Sequence, residues 1–161
     1  MKLILLLSSA LMTMLPASTV KINSTADNPV VSSVMIPFDD NVFISNGSSG
    51  ESVHFTGRLH LSTKFQPGPP IRIFTNTVDL KGIGNNTGGL YKLVGSMETM
   101  QDVTAGSTFS FTHSYRLIPP NPVIPPNPII PGNPVIPVFF TVNLSSDGSI
   151  TDASATFNST F

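Results

Sequence analysis

The sequence predicts an all-β fold, either an antiparallel β-sandwich or a small β-barrel, and three observations carry that prediction. Apolar and polar residues alternate with a period of two over long stretches, which places one face of each strand in a core and the other in water. Gly-, Asn- and Pro-rich turn signals punctuate those stretches at short spacing, with no helical segment between them. Glu occurs only at Glu51 and Glu98 while Ser and Thr abound, which starves helices of their usual surface residues and favours strands.

The elements follow in order. Met1-Lys2, the apolar stretch from Leu3 to Leu15 and Leu15-Pro16-Ala17 have the form of a secretory signal peptide over residues 1–17. Its apolar stretch contains Ser8, Ser9 and Thr13 and falls short of the roughly 20 residues a membrane-spanning helix needs. Residues 18–37 read as a flexible, Ser/Thr/Asn-rich lead-in that can pair as an edge strand near Val30 to Ile36. A single β domain is expected over residues 38–161.

Asn41 to Ser45 is a short strand, closed by the loop Asn46-Gly47-Ser48-Ser49-Gly50. Glu51 to Phe65 is the clearest strand, with Val53, Phe55, Leu59, Leu61 and Phe65 on one face and His54, Thr56, Arg58, His60, Ser62 and Lys64 on the other. After Gln66-Pro67-Gly68-Pro69-Pro70, a β-rich pattern resumes from Ile71 to Leu80, and Gly82 to Gly89 reads as a glycine-rich turn. Leu90 to Met100 and Thr108 to Ile118 give two more strands, the second aligning Phe109, Phe111, His113, Tyr115 and Leu117. Val138 to Leu144 and Ser149 to Phe157 flank Ser145-Ser146-Asp147-Gly148 and form a closing hairpin. Six or seven strands are expected.

A hexapeptide interrupts this pattern: Ile118-Pro119-Pro120-Asn121-Pro122-Val123, then Ile124 to Ile129, then Ile130 to Val135, with Ile136-Pro137 starting a fourth copy. So many missing backbone donors exclude a strand inside a sheet, and the stretch 118–137 reads as a Pro-rich loop insertion. As a polyproline II rod, a period of six is two turns and stacks Ile118, Ile124, Ile130 and Ile136 on one apolar edge. That edge is suited to a partner's aromatic groove or to packing against its own sheet; the plainer reading is a tolerated loop expansion, cheap because closure entropy grows slowly with length.

In its order of motifs the chain resembles a group of small exported bacterial proteins, β-rich and of unknown function, over about residues 38–157. The resemblance rests on Phe43-Ile44, on Gly50-Glu51 with Val53, Phe55, Gly57, Leu59 and His60, on Gly82-Ile83-Gly84 with Thr87-Gly88, Tyr91 and Gly95, on Tyr115-Arg116-Leu117-Ile118 and on Asp147-Gly148. It implies a β fold and export, and no site residues. Such relatives often carry a cysteine before the Gly-Glu step and another at the C-terminus. This chain has none, and its Pro-rich repeat stands where the group has a short loop.

Composition excludes several classes. The lack of cysteine removes disulfides, thiolate metal sites, cysteine nucleophiles and lipidation on cysteine. Without Lys2 the formal charge moves from −1 to −2, and composition offers no basic footprint for nucleic acid or anionic lipid. No cofactor is indicated, and a monomer is expected.

Two function classes remain open. In the first, a binding or structural module takes a small apolar ligand or a surface protein partner, with Phe55, Phe109, Phe111 and Tyr115 lining the interior site; core packing is their plain alternative. In the second, a secreted hydrolase or metal-dependent enzyme uses His54, Arg58 and His60. Against a shared metal, six residues of extended strand separate His54 from His60 by about 20 Å. His113, on the apolar side of its strand, reads as a core histidine. Asp39, Asp40, Glu51 and Asp147 lack the spacing of a calcium loop, and no serine stands in a Gly-x-Ser-x-Gly elbow. The Asn-x-Ser/Thr sequons at Asn23, Asn46, Asn85, Asn143 and Asn158 matter only in a eukaryotic secretory pathway.

Overall fold

The computed structural model describes residues 28–45, 50–66, 70–120 and 134–157, so the signal segment and residues 121–133 of the repeat, with Ile124 and Ile130, lie outside the described residues. Eight strands follow in chain order: β1 (Val30–Ser45), β2 (Gly50–Phe65), β3 (Ile71–Gly84), β4 (Leu90–Val94), β5 (Ser96–Gln101), β6 (Thr108–Ile118), β7 (Val135–Leu144) and β8 (Ile150–Phe157). Every ladder is antiparallel and joins one sheet in the order β1-β2-β3-β4-β6-β7-β8, with β5 also paired to β3. The fold is all-β, as the alternation predicts.

β4 and β5 share one flank of β3. β4 pairs with its end (Lys81 against Lys92) and β5 with its start (Ile73 against Thr99). The sheet therefore has seven positions around its circumference. An odd number of alternating strands leaves the first and last pointing the same way, and they do: Ile150 N–H donates to Ser32 Oγ at 3.0 Å and Phe157 N–H to Asp40 Oδ2 at 2.9 Å. Among the described residues no ladder joins β1 to β8. Side chains of β1 close the barrel instead, helped by the Phe38 and Phe157 rings, 4.9 Å apart and edge to face. Small Ala153 and Ala155 on the core side of β8 fit this tight closure.

Burial of alternate residues on every long strand fills the interior with Ile36, Phe38, Val53, Phe55, Leu59, Leu61, Ile71, Ile73, Tyr115, Leu117, Val138 and Phe140, among others. At roughly 25 cal/mol per Å² of apolar surface removed from water, this burial is the main stabilising term.

Four sequence expectations shift, each for a physical reason. Residues 30–37 are the first half of β1, paired with β2 from Val30 against Phe65; Pro37 is tolerated because β1 has a ladder on one side only. Gly82 and Gly84 belong to β3, not to a turn: a Cβ at Gly82 would collide with Val53 and Phe55, and one at Gly84 with the Glu51 carboxylate. These glycines answer to close packing. The expected strand from Leu90 to Met100 breaks at Gly95 (φ 146°). β7 starts at Val135, earlier than Val138, and includes Pro137, which faces Ser114 of β6 and lies one residue beyond the last described β7–β8 pair, Val138 with Phe157. Its missing donor therefore leaves no gap in the described β8 ladder.

Gly57 sits where β2 faces two residues of β3: the register slips between Thr56 and Arg58, and a Cβ there would press on the Asp79 carbonyl and Leu80 Cα. Opposite it Asp79 has φ 54°. This bulge bends the sheet where a barrel must turn.

Candidate functional site

The predicted ligand-lining aromatics are core. Phe55 and Tyr115 are fully buried, Phe111 is buried and Phe109 is half-buried. Phe111 stacks on Phe140 with ring centroids 4.9 Å apart, and Phe55 meets Phe157 at 5.4 Å. These rings fill space against one another. Two depressions lined by described residues lie on the outside, one around Lys64, Arg72 and Met100, the other around Asp79, Lys81 and Lys92.

The proposed enzymatic face does not converge. His54 bonds Asn41 at 3.3 Å and approaches Asp39 at 3.4 Å, while His60 bonds Asn76 at 3.0 Å. Arg58 is exposed on the same side of β2. Neighbouring strands supply each histidine with its own partner, as the extended spacing predicts. The acidic residues also go separate ways: Asp40 caps β8, and Asp147 holds the β7–β8 turn through Ser145 and Ser149 N–H.

Ile118 and Ile136, the described ends of the expected apolar edge, face opposite ways. Ile118 is exposed on the outer face of β6, whereas Ile136 is buried on β7 opposite Tyr115. A single edge running through both is therefore incorrect, because strand pairing, which sets the side of each residue, reaches both of them.

Two buried polar groups tie strands together: one around Glu51, whose burial escaped the sequence reading, and one around His113, which is core as its place on the apolar side of β6 predicts. Glu51 is nearly enclosed on the core side of β2 and accepts from Tyr91 O–H at 2.7 Å, Thr87 O–H at 2.9 Å, and the N–H groups of Asn86 and Thr87 at 3.2 Å. The Tyr91 hydrogen bond, working against burial and helped by the Thr87 and Asn86 donors, holds its carboxyl below the usual range. Tyr91 is pushed up to about 12, by burial first and then by Glu51. Glu51 thus pins the β3–β4 turn from beneath. Its signal was faint: a lone Glu in the apolar phase of a strand.

The second group is inside the barrel. Tyr115 O–H donates to Thr75 Oγ1, which also hydrogen-bonds His113 Nδ1 at 2.7 Å. His113 Nε2 is buried without a partner among the described residues. Burial lowers the His113 pKa from its ordinary 6.5 and raises Tyr115 to about 12. The chain ties β6 to β3 where β5, between them, pairs only with β3.

The chain has no significant match among protein-family models, curated proteins or solved structures. The reading of function rests on the molecule itself.

Proposed function

We propose that the protein is exported and serves as a non-enzymatic binding or interaction module, working through its outer surface. The observation that carries this reading is the packed interior: the aromatics best placed to line a ligand cavity stack on one another. The separate pairing of His54 and His60 supports it, since a shared catalytic centre needs converging groups. Export is supported by the form of residues 1–17 and by the position of β1, which starts at Val30, so cleavage after Ala17 spares every described strand.

Mass spectrometry of what co-purifies with the protein from its native source tests the proposal. The expected result is a mature N-terminus near Ser18 and a macromolecular or lipid companion. A stoichiometric small apolar molecule held inside, or a hydrolytic activity abolished by His54→Ala with His60→Ala, would overturn it.

A further inference from the structure

On three neighbouring strands the outward residues near the loops of one barrel end repeat a pattern. Ile83 stands two residues beyond Lys81 on β3, Leu90 two residues beyond Lys92 on β4, and Ile118 two residues beyond Arg116 on β6, the apolar member always nearer the loops. Ladder pairing makes them neighbours: Ile83 faces Leu90, Lys81 faces Lys92, Lys92 faces Ile118, and Arg116 faces Val135. Ile83, Leu90, Ile118 and Val135 are all exposed, from 36% to 56%, and the three cations are exposed as well. Phe43, 65% exposed, adds a ring from β1 at the same end.

Two of the cations are held in an unfavourable arrangement. Lys81 and Lys92 lie directly opposite, a placement that costs stability, and among the described residues none of the three cations forms an ion pair. Asp79 lines the depression beside the two lysines but lies outside ion-pair distance of both. The loops at this end, residues 46–49, 85–89 and 119–134, contain no charged residue at all.

We propose that this end of the barrel docks on an anionic lipid surface, with Ile83, Leu90 and Ile118 entering the interface and Lys81, Lys92 and Arg116 meeting lipid phosphates. Two residues of strand set the apolar and cationic members about 7 Å apart. Because the ladder sets Ile118 level with Lys92 and Arg116 level with Val135, apolar and cationic members interleave over a depth comparable to one headgroup layer, roughly half the difference between a ~45 Å bilayer and its ~30 Å hydrocarbon core. Charge complementarity and uncharged loops favour lipid over an acidic polypeptide, which would use the cations but not a tier of single apolar residues spread across a convex face. The inference rests on the interaction reading above and names its partner. Composition gave no such footprint, because the cations are scattered in sequence and only strand pairing collects them.

The absence of cysteine makes the test specific. The full chain carrying Leu90→Cys, labelled with an environment-sensitive dye, is mixed with phosphatidylglycerol vesicles, beside a chain labelled through Ser33→Cys at the other end of β1; unchanged thermal midpoints establish folding. The expected result is a blue shift at position 90 and none at 33, reversed by about 1 M salt, where screening acts within ~3 Å. Adding Lys81→Glu, Lys92→Glu and Arg116→Glu weakens partitioning at least about a hundredfold, from about fivefold for each cation removed. No shift at position 90, equal shifts at both positions, or a response indifferent to charge reversal would overturn the lipid assignment. A shift with polyglutamate but not with vesicles would overturn it too, while leaving the interaction reading intact.

Discussion

Glu51 shows how one side chain can organise a loop. Four donors from the β3–β4 turn and Tyr91 converge on it, and Gly84 supplies the space. Replacing Glu51 with Gln keeps the shape but puts an amide donor where Tyr91 and Thr87 also donate. The expected loss at pH 7 is about 2 kcal/mol, from hydrogen bonds to a charged acceptor, read as a lower unfolding midpoint in urea. The pH dependence has a definite sign. Because the folded pKa of Glu51 is depressed, its contribution is present above the ordinary 4.5 and disappears as pH falls through the lower folded value. The variant and the parent therefore converge in acid. His113 acts in the same direction but earlier: its folded pKa is also lowered, so stability tied to the neutral ring is present above 6.5 and falls away below it. A gap between parent and Glu51→Gln that stays constant from pH 7 to pH 3 would contradict this account of Glu51.

At the scale of elements, the repeat is a connection with firm ends. Leu117 N–H bonds the Pro134 carbonyl at 2.8 Å, Ile136 is buried, and Pro120 packs so closely on Gly89 that a Cβ there would clash. Replacing residues 121–133 with a three-residue turn leaves these anchors in place. The thermal midpoint is expected to hold or rise slightly, since two halvings of loop length return about 1 kcal/mol of closure entropy. By contrast, Ile136→Ala is expected to cost about 3 kcal/mol, so a shortening carried through to residue 136 would remove part of the core. A marked loss on replacing 121–133 alone would mean that the repeat contributes to folding. The strand pattern itself was legible because half-buried strands write their period into the sequence, as Phe109 to Leu117 does. The boundaries at Gly82, Gly84 and Pro137 were not, because glycine and proline signal turns locally. Here they answer to neighbours distant in the chain: Phe55, Glu51 and the end of β8.

For the whole molecule, the barrel is closed by side chains of Ser32 and Asp40 where its seven strand positions leave two parallel edges, and its interior is occupied by its own aromatics. No local signal in the sequence announces either property. Asp40 reads as a solvated turn residue, and Phe55 looks the same whether it lines a cavity or fills one. The collection of Lys81, Lys92 and Arg116 on adjacent strands was equally hidden, being a product of register. The proposed docking surface lies at the end of the barrel that carries Ile83, while Phe55 packs in the interior. The most direct test is a photo-crosslinking amino acid introduced in place of Ile83 or of Phe55, with the protein produced and illuminated in its native source. The account predicts intermolecular adducts from position 83 and only intramolecular ones from position 55; adducts from 55, or none from 83, would contradict it.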